Sequence, residues 1–543
     1  MIRCSSFRPS SHGVRRWCTA AVIGVMLLRG GITPPSSSLA AGLSVLSIPR
    51  AVSMVSVPRN IQVSHGRYQA YGEPYLAVNP RNQRNLLGAA QCINGSALPL
   101  PCSFVSFDGG TTWQENGPLL LPAGDKGGGD VTVAFNAQGT GFIASHAGSS
   151  WNVDTVLVWR TDNGGRSFAR PVIVLPGSHG TYVVDHPSMA VDTTGAGRPA
   201  PIYLVWTANM GQGFSVRTRL LFSRSGNDGR SFTKPRSVAQ VKRGFPGIPV
   251  VTAGPNGIVH VVYAVGYRDP YATPFVPLLR LTVTSTDGGR HFGPPQPIAS
   301  EPGFGISFDH LKMANIPAAA TDTRDGTLYV AMVGYRSGSQ HTDVLLWHSR
   351  NGGMTWAKPV RVNDDPVDGQ ADHVQPQLLV TPRGALYVSY FTLRHGRVDL
   401  YLIRSTTHGA SFGPSRRITS ASFDPRLSGQ ERDGSPWIGD YQGLAAGPAT
   451  IYPYWNDTRT GHMEIFTAAV PDTSAQPGHG YARRKTRRCT TPSKHTNSHQ
   501  WWWWWTLAPP GCTLHRSSVT IDCARCASEA RAVTLTVSPT YTG

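Results

Sequence analysis

Acidic residues followed by an imidazole or a phenol recur along this chain and are its clearest candidates for acid–base chemistry. The segments Asp185-His-Pro-Ser-Met-Ala190, Asp309-His-Leu-Lys-Met-Ala314 and Asp440-Tyr-Gln-Gly-Leu-Ala445 share the pattern D-[HY]-x-x-[ML]-A. Glu73-Pro-Tyr-Leu-Ala-Val78 and Asp130-Val-Thr-Val-Ala-Phe135 are close variants. Clustered carboxylates raise one another's pKa, and a carboxyl group that keeps its proton can serve as a general acid. The structural alternative is that a repeat preserves these residues as turn and capping groups.

Four arginines occupy comparable loops between predicted strands. They are Arg268 in GYRDPY, Arg336 in GYRSGS, Arg394 in TLRHGR and Arg459 in NDTRTG. The planar guanidinium group binds a carboxylate through two parallel hydrogen bonds, so four of them around one pocket predict an anionic ligand. Each one alone is equally well explained as a surface side chain. The predicted substrate contacts also include Asp440, Asp309, His310 and His186.

The elements that must position these groups are marked by an eight-residue pattern that recurs six times. It begins as Ser106-Phe-Asp-Gly-Gly-Thr-Thr-Trp113 and ends as Ser405-Thr-Thr-His-Gly-Ala-Ser-Phe412. Its third positions are 55, 64, 60, 64 and 56 residues apart, which indicates a repeat architecture. These third positions are Asp108, Asn163, Asn227, Asp287, Asn351 and Thr407.

The residue types of this pattern predict a structural turn. Asp and Asn side chains fold onto nearby backbone amides, and Gly adopts the positive φ that tight turns need. The closing Trp or Phe is expected to pack on the sheet behind it. We therefore interpret the residues at the six third positions as turn formers and exclude them as catalytic groups.

Short runs of β-branched and aromatic residues between Gly and Pro breaks predict four strands around each turn. Seven innermost strands are expected, starting near Tyr75, Val131, Ser188, Ile248, Ile316, Gln377 and Gln442. The last unit lacks a fourth strand, and residues 59–64 lack a partner. The sequence thus predicts an all-β fold, a seven-bladed β-propeller over residues 56–470 whose N-terminal strand completes the last blade. Six blades are the alternative.

Composition narrows the classes of partner. The formal net charge is +19, but residues 1–60 hold seven arginines and no acid. Residues 471–543 hold nine Lys and Arg against three acids, so much of the basicity lies in the tails. No basic stripe or nucleic-acid motif accompanies it, and we expect no nucleic-acid partner.

The N-terminus resembles an export signal, with four arginines before an apolar run from Cys18 to Leu28. We expect a signal peptide over 1–41, a linker over 42–55, a secreted or cell-surface protein and no stable membrane span. Export makes a disulfide between Cys92 and Cys102 plausible, with two free thiols as the alternative. Residues 471–543 form a basic tail rich in Trp and Cys that we expect to be disordered.

The six turns resemble the Asp-box (BNR) repeats of bacterial sialidases, over about three quarters of the chain. This resemblance implies an exo-glycosidase that removes terminal sialic acid from a glycan, with an arginine cluster on the sugar carboxylate. Placed by loop position, Tyr441 would be the nucleophile and Glu431 or Asp433 its partner base. Asp185 or Asp130 would be the acid/base residue, and no cofactor or metal is implied.

One departure leaves a second function open. Sialidases begin the propeller with an aromatic-Arg-Ile-Pro motif, and the nearest segments here, Ser47-Ile-Pro-Arg50 and Val57-Pro-Arg59, do not match it. The alternative is a non-catalytic extracellular propeller that binds a glycan or a protein. Asp-box propellers host several functions, so the fold alone does not decide between the two.

Overall fold

A computed structural model describes residues 56–472. The exceptions are residues 96, 152, 178–181, 195–198, 211–216, 240–244, 267–277, 302–305, 309–310, 314, 336–340, 368 and 429–435. The described chain forms seven antiparallel sheets of four principal strands, arranged as a seven-bladed β-propeller. The expected fold class is confirmed, and the six-bladed alternative is wrong. The predicted signal peptide and linker, and the predicted tail from residue 473 onward, lie outside the described residues, whereas Pro471 belongs to the last strand.

Each blade is a meander of consecutive strands from the channel outward. Blades one and two comprise β2 (Ala70–Val78), β3 (Leu86–Ile93), β4 (Leu100–Ser106) and β5 (Gln114–Pro118), then β6 (Thr132–Phe135), β7 (Gly141–Ala147), β8 (Thr155–Thr161) and β9 (Val172–Leu175). Blades three and four comprise β10 (Tyr182–Val191), β11 (Ile202–Met210), β12 (Arg217–Ser225) and β13 (Arg236–Ala239), then β14 (Phe245–Ala253), β15 (Val259–Gly266), β16 (Leu278–Ser285) and β17 (Gln296–Glu301).

The remaining blades follow the same order. Blades five and six comprise β20 (Ala318–Thr321), β21 (Leu328–Tyr335), β22 (Thr342–Ser349) and β23 (Val360–Arg361), then β24 (Asp372–Val380), β25 (Leu386–Arg394), β26 (Arg397–Ser405) and β27 (Arg416–Arg417). Blade seven comprises β28 (Gly443–Ala446), β29 (Thr450–Asp457), β30 (Glu464–Ala468) and the N-terminal β1 (Asn60–Gln62), with β31 (Val470–Pro471) beside β29. The hairpin of β18 (Ile306–Phe308) and β19 (Leu311–Met313) precedes blade five.

The core lies between neighbouring blades. The second strand of a blade has sheets against both faces, so it is apolar along its whole length rather than alternating. All eight residues of Val259–Gly266 are buried, for example. Between blades two and three, Phe142, Ile202 and Trp206 pack together with no exposed surface. Burial of this kind at every interface makes each blade dependent on its neighbours.

The six recurrent turns share one hydrogen-bond network. In the fourth turn the Ser285 hydroxyl donates to Asp287 Oδ1 at 2.8 Å and accepts the amide of Gly289 at 2.9 Å. Asp287 Oδ1 also accepts the amide of His291 at 2.9 Å. The third turn repeats this with Asn227, and the sixth does so with the hydroxyl of Thr407. These turns join third to fourth strands, so they lie at the end of the ring opposite the starts of the innermost strands.

The N-terminal strand closes the ring as the sequence predicts. Asn60, Ile61 and Gln62 pair with Ala468, Thr467 and Phe466 of β30. Next to this ladder the amide of Val63 donates to Ile465 O at 2.8 Å, and the Ser64 hydroxyl donates to the buried Glu464 carboxylate. Closure leaves blade seven with four strands contributed by both ends of the propeller chain.

Three smaller features complete the description. Cys92 and Cys102 form a disulfide between β3 and β4, with their Cα atoms 5.9 Å apart. The helices of the described chain are the 3-10 turns Pro255–Gly257 and Pro425–Leu427. None of the described helices has the length and apolar character to cross a bilayer.

The blade-five entrance differs from the one that the pattern D-[HY]-x-x-[ML]-A suggests. The segment 309–314 overlaps β19 of the hairpin before the blade, whereas the innermost strand begins at Ala318. Asn315-Ile-Pro317 therefore occupies the position that Asp185-His-Pro187 holds in blade three. Asp309 and His310 themselves lie outside the described residues.

Candidate functional site

A repeated backbone device opens the innermost strands. At one equivalent position the chain adopts positive φ, between 46° and 54°, in five blades: Glu73, Asp130, His186, Ile248 and Gln375. In blades one, three, four and six the next residue is proline, and the strand pairing shifts there by a β-bulge. Residues other than glycine rarely adopt the left-handed backbone conformation, and β-bulges change the direction of side chains. Backbone strain is therefore concentrated at this mouth of the channel.

Polarity divides the same mouth into two halves. In each blade, the first channel residue of the innermost strand pairs with a residue of the second strand. The position two residues further along that second strand differs in polarity between blades. That position is polar in blades seven, one, two and three, where it holds Asn456, Gln91, His146 and Thr207. It is apolar in blades four, five and six, where it holds Ala264, Val333 and Phe391. The candidate site therefore lies in the polar half.

Asp130 is the centre of this polar half. Its Oδ2 accepts the amide of His186 at 3.1 Å and lies 3.5 Å from Nδ1 of His146. Its Oδ1 accepts Nε2 of Gln91 at 3.5 Å. Burial opposes ionisation, but the His146 imidazole and a hydrogen bond from Glu73 outweigh it and lower the pKa of Asp130 below its ordinary value. Asp130 is thus the carboxylate of the cluster that stays ionised.

Two neighbouring carboxyl groups shift the other way. Burial, together with the charge of Asp130, raises the pKa of Glu73 well above its ordinary value. Glu73 is 3% exposed, and its carboxylate accepts a hydrogen bond from Gln91. The side chain of Asp185 reaches the solvent of the cavity, yet the surrounding protein and the charge of Asp130 raise its pKa in the same way. Asp440 adds to both shifts from blade seven.

His186 and Tyr441 lie on the channel side of this cluster, where both line the central channel. Their rings meet edge to face with centroids 5.4 Å apart, and the Tyr441 hydroxyl donates to Val131 O at 3.3 Å. Burial, followed by the charges of Glu73 and Asp130, raises the pKa of Tyr441 well above 10. Burial lowers the pKa of His186. Both groups are therefore held in their neutral forms near neutral pH.

The cluster opens into a cavity of about 280 Å³ between blades one, two and three. Asp130, His146 and Asp185 line its floor. Trp151, in the loop between the second and third strands of blade two, stands at its rim with 53% of its surface exposed. A mostly apolar wall facing a few convergent polar groups is typical of small-ligand sites.

The structure brings together part of the predicted site. Asp130, Asp185, His186, Asp440 and Tyr441 all surround the polar half of the mouth. Sequence analysis identified these five residues from their shared position at the strand entrances. The predicted Glu431, Asp433, Arg268, Arg336, Asp309 and His310 lie outside the described residues.

The two described arginines of the predicted cluster are elsewhere. Arg394 is exposed at the tight hairpin of blade six, across the channel from the cavity. Arg459 binds Asp457, donates to Asn60 Oδ1 at 3.0 Å and stacks on Phe466, so it serves the ring closure. Neither contributes to the cavity beside Asp130.

Within the described part of the chain, three groups of acidic and histidine side chains have spacings that a metal ion could bridge. In each, the potential ligand atoms lie within 4.8 Å of one another. Asp130, His146 and Asp185 form the group inside the cavity. Asp343, Asp365 and His373 are instead joined by Arg361 and Asn363, and Asp322, near Asp325 and His408, is bound by Arg324.

Three contributors were not among the predicted site residues: Glu73 as an acidic group, His146 and Trp151. Glu73 carries a usable signal, because Glu73-Pro74 matches His186-Pro187, Ile248-Pro249 and Gln375-Pro376 at the same repeat position. His146 is identified only by the strand register, because it is the blade-two equivalent of Gln91. Trp151 lies in an inter-strand loop, and no repeat pattern marks it.

Comparison with known proteins gives fold-level similarity. No protein-family model and no curated protein matches the sequence. Among solved structures, a Hadza microbial sialidase is 15% identical, with 70% of this chain and 75% of that chain covered and a TM-score of 0.42. The GH93 alpha-L-arabinofuranosidase of Fusarium graminearum is 15% identical, covering 62% and 92%, with a TM-score of 0.42. A PL25 ulvan lyase is 12% identical, covering 76% and 96%, with a TM-score of 0.46. These values describe a likeness of fold, and the chemistry must be argued from the site itself.

Proposed function

We propose that the protein is an enzyme that hydrolyses the glycosidic bond of a terminal sugar in the cavity beside Asp130. One observation carries this proposal: Asp130 and Asp185 lie within 4.8 Å of each other, and their surroundings push their proton affinities in opposite directions. Two neighbouring carboxyl groups whose pKa values are shifted in opposite directions provide an acid and a base in one site. Acid–base pairs of this type are what glycoside hydrolysis requires.

The roles follow from the two protonation states. Asp185 gives its proton to the leaving oxygen as the bond from that oxygen to the anomeric carbon breaks. Asp130, ionised, faces the positive charge that develops on the sugar and attacks the anomeric carbon. Water then transfers a proton to Asp185 as its oxygen bonds to the anomeric carbon and Asp130 departs. The covalent intermediate on Asp130 makes this a retaining course.

Glu73 and Tyr441 have supporting roles in this scheme. The hydrogen bond that Glu73 gives Asp130 helps to keep Asp130 ionised. Tyr441 was expected to be the nucleophile, but its neighbouring carboxylates and its burial oppose formation of a phenolate. We assign Tyr441 to the support of His186, whose amide in turn holds Asp130.

Exo-sialidase activity is the more specific form of this proposal. It needs cations for the sugar carboxylate, and Arg268 and Arg336 are the remaining candidates from the predicted cluster. The non-catalytic propeller that only binds a glycan is the competing function, and the same assay decides between them.

The test is turnover of a panel of aryl glycosides, including a sialoside, by the wild-type protein and by Asp185→Asn. Loss of the general acid should reduce kcat by about 10²–10⁴-fold for a poor leaving group and by much less for an activated one. Asp192→Asn is the matched control, because this buried aspartate lies just beyond the far end of β10 and contacts Thr194. It should retain wild-type kcat.

The pH profile gives an independent check. Wild-type activity should persist into acidic solution, because Asp130 stays ionised below its ordinary pKa, and should fall as rising pH removes the proton from Asp185. The residual activity of Asp185→Asn should lack that alkaline decline. Absence of turnover on every glycoside, with the folded protein verified, would overturn the hydrolase and leave the binding function.

A further inference from the structure

The residues that line the cavity beside Asp130 are of two chemical kinds. The apolar ones include Leu98, Pro99 and Val153, together with Trp151, which is 53% exposed. The polar ones include Gln91, Asn209 and the two aspartates, whose side chains carry oxygen atoms that can accept hydrogen bonds. A pyranose or furanose ring has the same division, with C–H groups on one face and hydroxyl donors around its edge.

The charges of the described lining residues disfavour an anionic sugar. Among the residues that the structure describes, the ionisable side chains lining the cavity are Asp130, His146 and Asp185, with no lysine or arginine beside them. Burial lowers the pKa of His146, so the imidazole is neutral near pH 7 and the net charge of the lining comes from Asp130. A sugar carboxylate placed here would face that negative charge with no cation beside it, which is costly in a partly desolvated site.

The buried Arg280 of blade four does not change the charge of the cavity lining. Arg280 is fully buried in blade four and donates to the backbone carbonyl of Asn315 at the entrance to blade five. It therefore lies in the apolar half of the mouth, whereas the cavity is formed by blades one to three. Its position fits a structural link between two blades.

We propose that the ligand of this cavity is a neutral terminal sugar whose apolar ring face stacks on Trp151. The proposal rests on the glycosidase function above and specifies its substrate class. Trp151 supplies the apolar contact area, and the polar side chains of the lining accept hydrogen bonds from the sugar hydroxyls. Asp130 then interacts with a sugar that carries no charge until the transition state.

The first experiment compares aryl glycosides that share one leaving group and differ in the sugar. Neutral hexosides, 6-deoxyhexosides and pentosides form one arm, and a sialoside and a glucuronide form the other. We expect kcat/KM for at least one neutral glycoside to exceed that of both anionic ones by 100-fold or more. Preferred cleavage of the sialoside or glucuronide would overturn the neutral-sugar proposal while leaving the hydrolase intact.

The second experiment tests the stacking residue. Trp151→Ala should raise KM at least 10-fold and change kcat by less than 3-fold, and Trp151→Phe should recover part of the loss. Met354→Ala is the control, because Met354 is a 70% exposed apolar side chain in the turn of blade five at the opposite end of the ring. An unchanged KM in Trp151→Ala would contradict the stacking.

Binding separates the two proposals. Titration of the free neutral sugar into Asp185→Asn by calorimetry measures recognition without turnover. Binding of the neutral sugar with no cleavage by the wild type would refute the hydrolase and retain the neutral-sugar site. If the neutral sugars neither bind nor react while an anionic sugar binds, the neutral-sugar proposal fails.

Discussion

Asp130 depends on its neighbours to remain charged in a site that burial would otherwise neutralise. The backbone amide of His186 and the side-chain amide of Gln91 donate hydrogen bonds to it, and the His146 imidazole lies 3.5 Å away. Glu73 keeps its proton and directs it at Asp130. One negative charge in this cluster of carboxyl groups has a lower free energy than two negative charges at the same separation.

Glu73→Gln tests this arrangement through stability. The folded-state pKa of Glu73 is raised, so its contribution to stability is complete below its unfolded pKa of about 4.3 and is lost as pH rises through the folded value. The amide needs no proton to stay neutral. The variant should therefore match the wild-type Tm near pH 4 and exceed it near pH 8, by roughly 1 °C per kcal/mol for a fold of this size.

Asp108→Asn provides a control of opposite sign. Burial opposes the shift, but hydrogen bonds from Thr112 lower the pKa of Asp108, so this carboxylate stabilises the fold above its unfolded pKa. Asn already occupies the equivalent position in three other turns. Thermal unfolding should show Asp108→Asn less stable than the wild type above pH 4, with this deficit shrinking as pH falls below about 4, whereas the gain of Glu73→Gln grows as pH rises from 4 to 8. Parallel pH dependence in the two variants would contradict the assignment.

At the scale of elements, the recurrent turn separates stability from chemistry. Its third residue binds backbone within the turn, and the turn lies at the end of the ring remote from Asp130. The strand entrances at the other end carry positive φ at Glu73, Asp130 and His186. One end of each blade thus holds a relaxed, repeated structure, and the other end holds strained residues with variable side chains.

Asn351→Ala should destabilise the protein without impairing its site. Asn351 accepts the Ser349 hydroxyl at 2.9 Å and the Thr355 amide at 3.0 Å, and it donates to the Thr355 hydroxyl at 2.8 Å. Losing these contacts should cost about 1–2 kcal/mol in urea unfolding. Asn351→Asp is the control and should be near neutral, because Asp fills this position in turns one and four. A fall in kcat beyond 3-fold in folded Asn351→Ala would argue that the turn acts on the site.

For the whole molecule, the ring could be predicted from sequence because each blade repeats the same local chemistry. The recurrent turns, the seven expected innermost strands and the unpaired segment before Tyr75 together favoured seven blades and a shared last blade, which the structure has. The site was only partly predictable, because it is formed where the repeat is broken. His146 and Trp151 act through their position across blades, which local spacing does not encode. The arginine loops are equivalent in sequence, yet Arg459 binds the closing strand.

The side chain of Asn60, in the N-terminal strand, makes several of the hydrogen bonds that close the ring. Its amide donates to Ile418 O at 2.8 Å, and its carbonyl oxygen accepts the Ser420 amide at 2.7 Å and Arg459 Nη1 at 3.0 Å. These contacts join blade seven to blade six as well as to the N-terminus. Asn60→Ala leaves the partners of a half-buried amide unpaired, which should cost about 2–4 kcal/mol.

Gln62→Ala is the comparison that isolates this effect, since Gln62 lies in the same strand and pairs with Phe466 through its backbone. We expect Gln62→Ala to change the free energy of unfolding by less than about 0.5 kcal/mol. Amide hydrogen exchange should show Asn60→Ala opening first at β30 and at residues 416–420, with blades two to four still protected. Uniform loss of protection around the ring would mean that closure is not the weak point, because an opened propeller unravels from its joined blade.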